Sequence, residues 1–219
     1  MIWKFPPDDA RKREEMVKSQ IERRGVRDAQ VLEAMRTVPR EAFVERSDSE
    51  YAFYDGPLSI GYGQTISQPY IVAYMTEMLA IRSTDRVLEV GTGSGYQTAV
   101  LAELAAEVYT IEIVDALSLR AQELLRAQGY SNIRFRAGDG SLGWPEEAPF
   151  DAIMVTAAPD KAPERVIAQL ADGGRMIAPV GSHEQYLELI TRTHGTVERR
   201  SLIGVRFVPM TGRIQKGEP

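Results

Sequence analysis

Residues Val87 to Ala102 read VLEVGTGSGYQTAVLA, and this run is the most informative part of the chain about its architecture. The β-rich segment VLEV leads directly into a loop from Gly91 to Gly95, and a helical pattern follows. This order is typical of the first β–α turn of a doubly wound fold, in which glycines let a nucleotide-like ligand approach the backbone. The dinucleotide fingerprint needs a glycine where this chain has Tyr96, so the spacing is G-x-G-x-G instead. Alone, the loop is equally compatible with a plain tight turn.

Two acidic residues follow later strands at the same predicted sheet edge. Glu112 ends the second strand, about 20 positions after Gly91, where a carboxylate can accept hydrogen bonds from ribose hydroxyls. Asp139, followed by Gly140, ends the third strand. Taken singly, the first fits an exposed strand-end carboxylate and the second a common Asp-Gly turn. Together with the glycine loop they favour a nucleoside ligand, without separating adenosylmethionine from a nicotinamide dinucleotide.

From residue 85 onward, short β-rich runs alternate with helical ones. In order, the runs are DRVLEV, YQTAVLAELA, VYTIEI, DALSLRAQELLRAQ, NIRFRA, FDAIMVT, ERVIAQL and RMIAPV. This alternation predicts an α/β fold with a doubly wound, Rossmann-like sheet and helices on both faces. Beyond Gly181 the alternation stops, and YLELITRT, TVERRSLI and VRFVPM predict C-terminal antiparallel strands.

The first part of the chain predicts a helical extension. We expect one amphipathic helix from Asp8 to Arg24 with Gly25 as its C-terminal cap, and a second helix between the cap Asp28 and Pro39.

The stretch YAFYDGPLSIGYGQTISQP, from Tyr51 to Pro69, is rich in glycine, proline and aromatic residues and has neither regular period. It predicts a long ordered loop and a candidate site, since long loops in compact domains are usually functional. A core-facing helix, PYIVAYMTEMLA, is expected after it.

Length and composition narrow the class of protein. With 219 residues and a formal charge of −5, the chain suits a single domain over residues 1–219. Residues 1–80 would form the helical extension and active-site loop, and residues 81–219 the ligand-binding α/β core with the late strands. The acidic balance disfavours bulk nucleic-acid binding. No apolar run has the length of a signal peptide or membrane span, so we expect a cytoplasmic protein with no membrane partner. We also expect a monomer.

Residue types also limit the chemistry. The chain has no cysteine and only two histidines, which excludes disulfides, thiolate zinc sites and a cysteine nucleophile. A histidine-rich metal centre or a Ser-His-Asp hydrolase would have to use His183 or His194. We therefore expect no metal.

The glycine segment resembles the first motif of class I S-adenosylmethionine-dependent methyltransferases. In that family the glycine loop faces the amino-acid part of the cofactor, the acid after the second strand holds the ribose, and the acid after the third strand lies near the adenine. The resemblance implies S-adenosyl-L-methionine as cofactor, with contacts from Gly91, Thr92, Gly93, Ser94, Gly95, Glu112, Asp139 and Gly140.

Four further segments, GQTISQPYIVAYM, PFDAIMVTAA, LADGGRMIAPVG and VRFVPMTG, carry a narrower resemblance to the protein-L-isoaspartate O-methyltransferase family. With the glycine motif they span roughly Met16 to Thr211. The resemblance implies that the catalytic residue is Ser67, that the cofactor also contacts Gln64, Thr65 and Ile66, and that the substrate contacts Ser67, Val72, Val208 and Thr211. Many members carry a histidine near the start of the following helix, where this chain has Tyr70 and Val72. The family also has a leucine at the position of Met210.

The activity that this resemblance implies is protein repair, in which a methyl group passes from S-adenosyl-L-methionine to the free carboxylate of L-isoaspartyl residues in damaged proteins and peptides. A carboxylate with a reference pKa of about 4 is already an anionic nucleophile at neutral pH, so no general base is needed. The site must supply alignment and hydrogen-bond donors, which Ser67 and Thr65 can provide. The plainer alternative is that Ser67 or Thr65 only caps the next helix, with Thr65 and Gln68 spaced as a capping box.

Three other functions stay open at this level. The first is a methyltransferase acting on nucleic acid or a small molecule. The fourth strand ends in Thr156-Ala157-Ala158-Pro159 instead of an Asn-Pro-Pro-Tyr type motif, which argues against methylation of amino groups, and the net charge of −5 does not favour a polyanion. Tyr96 counts against a nicotinamide-dependent oxidoreductase. A module that binds adenosylmethionine without turnover is the remaining alternative.

Overall fold

The structure, a computed structural model, describes residues 7–213. The expectation that the N-terminus carries no signal peptide concerns residues that lie partly outside this range. The helices are α1 (Pro7–Met16), α2 (Ala29–Thr37), α3 (Pro69–Leu79), α4 (Tyr96–Ala102), α5 (Asp115–Ala127) and α6 (Glu164–Ile167). The strands are β1 (Leu58–Gly61), β2 (Gln64–Ile66), β3 (Arg86–Val90), β4 (Glu107–Glu112), β5 (Ile133–Ala137), β6 (Phe150–Val155), β7 (Leu170–Val180), β8 (Gln185–Thr193) and β9 (Thr196–Val205).

A seven-stranded sheet with the order β5-β4-β3-β6-β7-β8-β9 forms the centre of the fold. The strands from β5 to β7 run parallel, whereas β8 and β9 are antiparallel to their neighbours. The strand order reverses at β3, whose neighbours are β4 on one side and β6 on the other. The predicted doubly wound, Rossmann-like sheet is therefore confirmed, and its ligand crevice is expected beyond the carboxyl end of β3.

Helices cover both faces of this sheet. Alternate residues of β3 point to opposite faces, so neighbouring residues pack against different helices. Val87 packs in one hydrophobic cluster with Met75 of α3 and Leu101 of α4. Leu88 packs in another cluster, with Val166 of α6. Both faces of the central strand are buried, as the near-continuous apolar run VLEV indicates.

The two helices predicted before residue 40 are present. The first continues from α1 through π- and 3₁₀-helical turns over residues 17–24 and ends at Gly25, whose φ of 100° suits a glycine cap. Asp28 caps α2 by accepting hydrogen bonds from the backbone N–H groups of Gln30 and Val31, at 2.8 and 3.1 Å. These helices share a core cluster with α4 and α5, so they brace the sheet through those two helices.

The prediction of a continuous loop from Tyr51 to Pro69 is wrong in one respect, because residues 58–66 form an antiparallel β-hairpin from β1 and β2. Its turn is Tyr62-Gly63, with φ values of 54° and 70°, which is the left-handed geometry of a tight hairpin. Strands of four and three residues are too short to show a period of two, so the sequence pattern could not reveal them.

The third predicted late strand, VRFVPM, is also wrong. Apart from Val205, which ends β9, this segment forms only an isolated parallel bridge between Pro209 and Ala158. Proline lacks a backbone N–H and cannot continue a ladder, so the chain instead crosses the end of β6. In the described part of the chain, no helix has both the length and the apolar character needed to span a membrane.

Candidate active site

The glycine loop lies at the carboxyl end of β3, where the strand order reverses. Gly91, Gly93 and Gly95 all have positive φ, at 102°, 55° and 89°. A Cβ atom on Gly91 would lie 2.3 Å from Oγ1 of Thr156, the residue after β6. The hydroxyl of Thr156 donates a hydrogen bond to the Gly91 carbonyl over 2.6 Å, so the loop is held tightly between two strand ends.

Glu112 supports the same loop from the neighbouring strand β4. Its side chain is 5% exposed, and Oε2 accepts a hydrogen bond of 2.8 Å from the backbone N–H of Gly93. Oε1 accepts a second, of 2.9 Å, from Val114. A carboxylate oxygen can accept more than one hydrogen bond, so Glu112 retains acceptor capacity for hydroxyl groups of a ligand.

The carboxylate of Asp139 is used differently. Oδ1 accepts hydrogen bonds from the backbone and hydroxyl of Ser141, and Oδ2 accepts one of 2.7 Å from the backbone N–H of Arg213. Burial tends to raise the pKa of Asp139, but the hydrogen bonds from Arg213 and Ser141 outweigh it and lower the pKa. Asp139 thus ties the C-terminal segment to the end of β5.

The hairpin supplies the opposite wall. A Cβ on Gly93 would lie 3.5 Å from Cδ1 of Ile60, so β1 packs directly over the glycine loop. Ser67 is half-buried and Thr65 exposed, and within residues 7–213 neither hydroxyl has a hydrogen-bond partner. Gln68 is the N-cap of α3 and makes no side-chain cap bond, so the capping-box alternative is wrong. Both hydroxyls are therefore available to a ligand.

A cavity lies between these walls. Of the residues predicted to form the site, those that line it are Gln64, Thr65, Ile66, Ser67, Val72, Gly91, Thr92, Gly93, Ser94, Glu112, Gly140, Val208 and Thr211. Gly95 and Asp139 do not line it. Gly95 instead packs beneath the loop, where a Cβ would lie 3.0 Å from a methyl group of Leu125.

The cavity also includes residues that the sequence analysis did not select, among them Tyr96, Gln97, Ile113, Thr156 and Ala157. Thr156 and Ile113 each follow a strand of the parallel sheet at its carboxyl end, which is a signal that could have identified them. Ile113 is 41% exposed, which is unusual for a large apolar residue beside a strand end and fits contact with a flat apolar ligand surface.

A second and wider cleft of about 680 Å³ adjoins the cavity. Its walls come mainly from residues 65–71 around the start of α3 and from residues 183–186 and 203–208. Thr65, Ser67, Thr156 and Val208 line both spaces. These shared residues therefore lie at the boundary between the cavity and the cleft.

The residues that line the cavity suit a nucleoside bearing an amino acid. Gly91 in the glycine loop and Gly140 after β5 both line the cavity, where the absence of a side chain leaves their backbone open to ligand atoms. Neither position has room for a side chain, because a Cβ would lie 2.3 Å from Thr156 or 2.5 Å from Val90. Glu112 offers acceptor oxygens at the strand end, and exposed Ile113 offers an apolar surface.

Comparison with known proteins agrees with this geometry. The model of the family described as protein-L-isoaspartate(D-aspartate) O-methyltransferase matches residues 11–215. The chain belongs to this family. A protein-L-isoaspartate O-methyltransferase from Methanoculleus marisnigri is 54% identical over 204 residues, covering 93% of each chain. The protein of the same name from Picosynechococcus is 53% identical over 200 residues, covering 91% of this chain and 90% of the relative.

Solved structures of protein-L-isoaspartate O-methyltransferases share the fold. One has a TM-score of 0.84 at 30% identity and covers 92% of this chain and 67% of its own. Another, from Plasmodium falciparum in complex with S-adenosyl-L-homocysteine, has a TM-score of 0.81 at 25% identity and covers 91% and 98%. Membership in the protein-L-isoaspartate O-methyltransferase family confirms the fold class, the methyltransferase activity and the S-adenosyl-L-methionine cofactor predicted from the sequence.

Proposed function

We propose that this chain repairs damaged proteins by methylating the free carboxylate of L-isoaspartyl residues where its cavity and cleft meet. The observation that carries this proposal is that Ser67 and Thr65 line both spaces while their hydroxyls have no hydrogen-bond partner among residues 7–213. A cofactor in the cavity and a peptide in the cleft would bring their reactive atoms together at these hydroxyls.

The chemistry needs little from the protein beyond positioning. Bound S-adenosyl-L-methionine supplies an electrophilic methyl group on a positively charged sulfur. The hydroxyls of Ser67 and Thr65 donate hydrogen bonds to the acceptor carboxylate and orient one of its oxygens toward the pocket. The carboxylate is ionised at neutral pH, so no residue has to remove a proton. Ser67 is a catalytic residue in this scheme but never a nucleophile.

The pocket lining supports the cofactor-binding roles that the family resemblance implies. The backbone from Gly91 to Ser94 faces the amino-acid part of the cofactor, and Glu112 accepts hydrogen bonds from the ribose hydroxyls. Gln64 and Ile66 close the pocket from the hairpin side. Asp139 acts near the adenine through Gly140, which lines the pocket, while its carboxylate anchors the C-terminal segment.

The peptide would lie in the wider cleft. Val72 lines the pocket at its junction with α3, and Val208 and Thr211 border it from the C-terminal segment. That segment is fixed across the end of β6, because the backbone N–H of Ala158 donates to Val208 and that of Met210 donates to Ala158, both over 2.8 Å. An open groove beside a small reactive junction suits an extended segment of variable sequence.

The direct test is transfer of labelled methyl groups to a short isoaspartyl peptide, with its normal aspartyl twin as the matched control. We expect label in the isoaspartyl peptide alone. Label in neither peptide, together with calorimetric binding of S-adenosyl-L-homocysteine, would contradict the acceptor and leave the cofactor site intact. Equal labelling of both peptides would contradict the specificity.

The proposal also covers the domain organisation, oligomeric state and location of the protein. We infer a single domain, because residues of the helical extension and of α4 and α5 share one hydrophobic cluster. We also infer a cytoplasmic monomer without a nucleic-acid or membrane partner, in line with its net charge of −5. Light scattering after size-exclusion chromatography measures whether the protein is a monomer. Retention on immobilised nucleic acid would contradict the inference that it has no nucleic-acid partner.

A further inference from the structure

Glu89, the penultimate residue of β3, is a fully buried acid that does not line the cofactor pocket. Its Oε2 atom accepts hydrogen bonds from the hydroxyls of Thr98 on α4 and Thr110 on β4, each 2.6 Å long. Its Oε1 atom is buried without a partner among the described residues. Burial is the main cause that raises the pKa of Glu89, to about 8, while the two threonine hydrogen bonds act in the opposite direction.

The hydrogen bonds continue from Thr110 to the glycine loop. Oγ1 of Thr110 lies 2.6 Å from Oγ1 of Thr92, and both side chains are buried. A hydroxyl carries one proton, and Thr110 donates its proton to Glu89. Thr92 must then be the donor to Thr110. With Oε2 of Glu89 as the accepting atom, the chain of donation runs from Thr92 through Thr110 to Glu89.

Thr92 is the residue around which the loop closes. Its backbone N–H and that of Gly91 both donate to the carbonyl of Ile111, at 3.3 and 2.8 Å. Its carbonyl accepts a hydrogen bond of 2.9 Å from Gly95. Fixing the side chain of Thr92 thus fixes the backbone that lines the cofactor pocket.

We propose that Glu89 is a positioning residue for cofactor binding, which holds the glycine loop in its binding conformation through Thr110 and Thr92. Glu89 does not touch the cofactor in this arrangement. The other threonine that donates to Glu89, Thr98, is on α4 and makes no hydrogen bond to Thr92 among the described residues. Thr98 and Thr110 therefore bind the same oxygen of Glu89, but only Thr110 connects it to the glycine loop. That difference provides a matched pair of variants.

The test measures the Kd of S-adenosyl-L-homocysteine by calorimetry, together with KM for S-adenosyl-L-methionine and for an isoaspartyl peptide. Thr110→Val removes the middle of the chain with almost no change in shape, and we expect Kd to rise about five-fold, the effect of losing one hydrogen bond. Thr98→Val removes an equally short contact to Glu89, and we expect Kd to stay within about two-fold. KM for the peptide should be unchanged in both variants.

Two substitutions of Glu89 complete the test. Glu89→Gln keeps an acceptor oxygen for both threonines and should retain cofactor affinity, whereas Glu89→Leu keeps the volume without an acceptor and should resemble Thr110→Val. Equal losses of affinity in Thr110→Val and Thr98→Val would show a merely structural role and overturn the proposal. So would an equal loss in Glu89→Gln and Glu89→Leu. If Glu89→Leu does not fold, the comparison of the two valine variants decides.

Discussion

The backbone N–H of Gly93 donates a hydrogen bond to Oε2 of Glu112 across 2.8 Å, joining the loop after β3 to the end of β4. The acid that the sequence offers as a ribose ligand therefore also shapes the loop that holds the rest of the cofactor. Both functions use the carboxylate oxygens as acceptors, and each oxygen already accepts one backbone hydrogen bond before any ligand is bound.

Glu112→Gln should therefore weaken cofactor binding even though the shape is kept. The amide nitrogen would face the N–H of either Gly93 or Val114, leaving that buried donor unsatisfied. We expect Kd for S-adenosyl-L-homocysteine to rise about ten-fold to a hundred-fold. Glu107→Gln, at the other end of β4, is the control and should leave Kd unchanged. Unchanged Kd in both variants would contradict the role of Glu112.

Gly91→Ala tests the close contact between the two strand ends. The new Cβ would lie 2.3 Å from Oγ1 of Thr156, at a backbone φ of 102°. Gly129→Ala has a similar φ, of 93°, but open space around it, so it isolates the backbone strain, about 1–3 kcal/mol. We expect Gly91→Ala to lose cofactor affinity by at least about ten-fold, and Gly129→Ala to retain it while lowering the free energy of unfolding.

Ser67→Ala tests the catalytic assignment. Loss of a hydrogen bond to a charged carboxylate should lower kcat/KM for an isoaspartyl peptide by about ten-fold to a hundred-fold, with Kd for S-adenosyl-L-homocysteine unchanged. Ser59→Ala, an exposed serine in the opposite strand of the hairpin, is the matched control. Wild-type turnover of the Ser67→Ala variant would remove Ser67 from the reaction.

The buried acid Glu89 should make stability depend on pH. Its pKa is raised to about 8 in the folded protein, from 4.5 in the unfolded chain, chiefly by burial. Between these values the folded state binds the extra proton, so the free energy of unfolding should fall as pH rises through this window. Glu89→Gln does not titrate, and its Tm relative to wild type should increase with pH. Parallel curves of Tm against pH would contradict this shift.

The ion pair between Arg13 of α1 and Glu41 holds the helical extension together. Its atoms are 2.6 Å apart, and the side chains are 12% and 6% exposed. Arg13→Met leaves a buried charge unpaired and should lower the free energy of unfolding by about 3 kcal/mol, most of which should return when Glu41→Met is added. Arg199→Met, which breaks an exposed pair with Glu164, should cost less than about 1 kcal/mol. Urea unfolding of these variants gives all the values.

Local patterns determined the architecture. The run VLEV followed by the glycine loop predicted the first β–α turn, and alternating periods predicted β3 to β7 with their helices. The cap Asp28 and the stop at Gly25 predicted the ends of two helices. Each of these signals lies within a few adjacent residues, because hydrophobic period and capping are local properties of the chain.

Only the tertiary structure decided which side chains meet. Gly91 and Thr156 are 65 positions apart, and Asp139 and Arg213 are 74 apart, so no local period could relate them. The hairpin and the path of the VRFVPM segment likewise depend on contacts across the pocket. The sequence thus determined the fold, the cofactor loop and the family. Packing between distant segments decided that Ser67 lies at the junction of the cavity and the cleft, that Asp139 anchors the C-terminal segment, and that Glu89 is connected to the loop through Thr110.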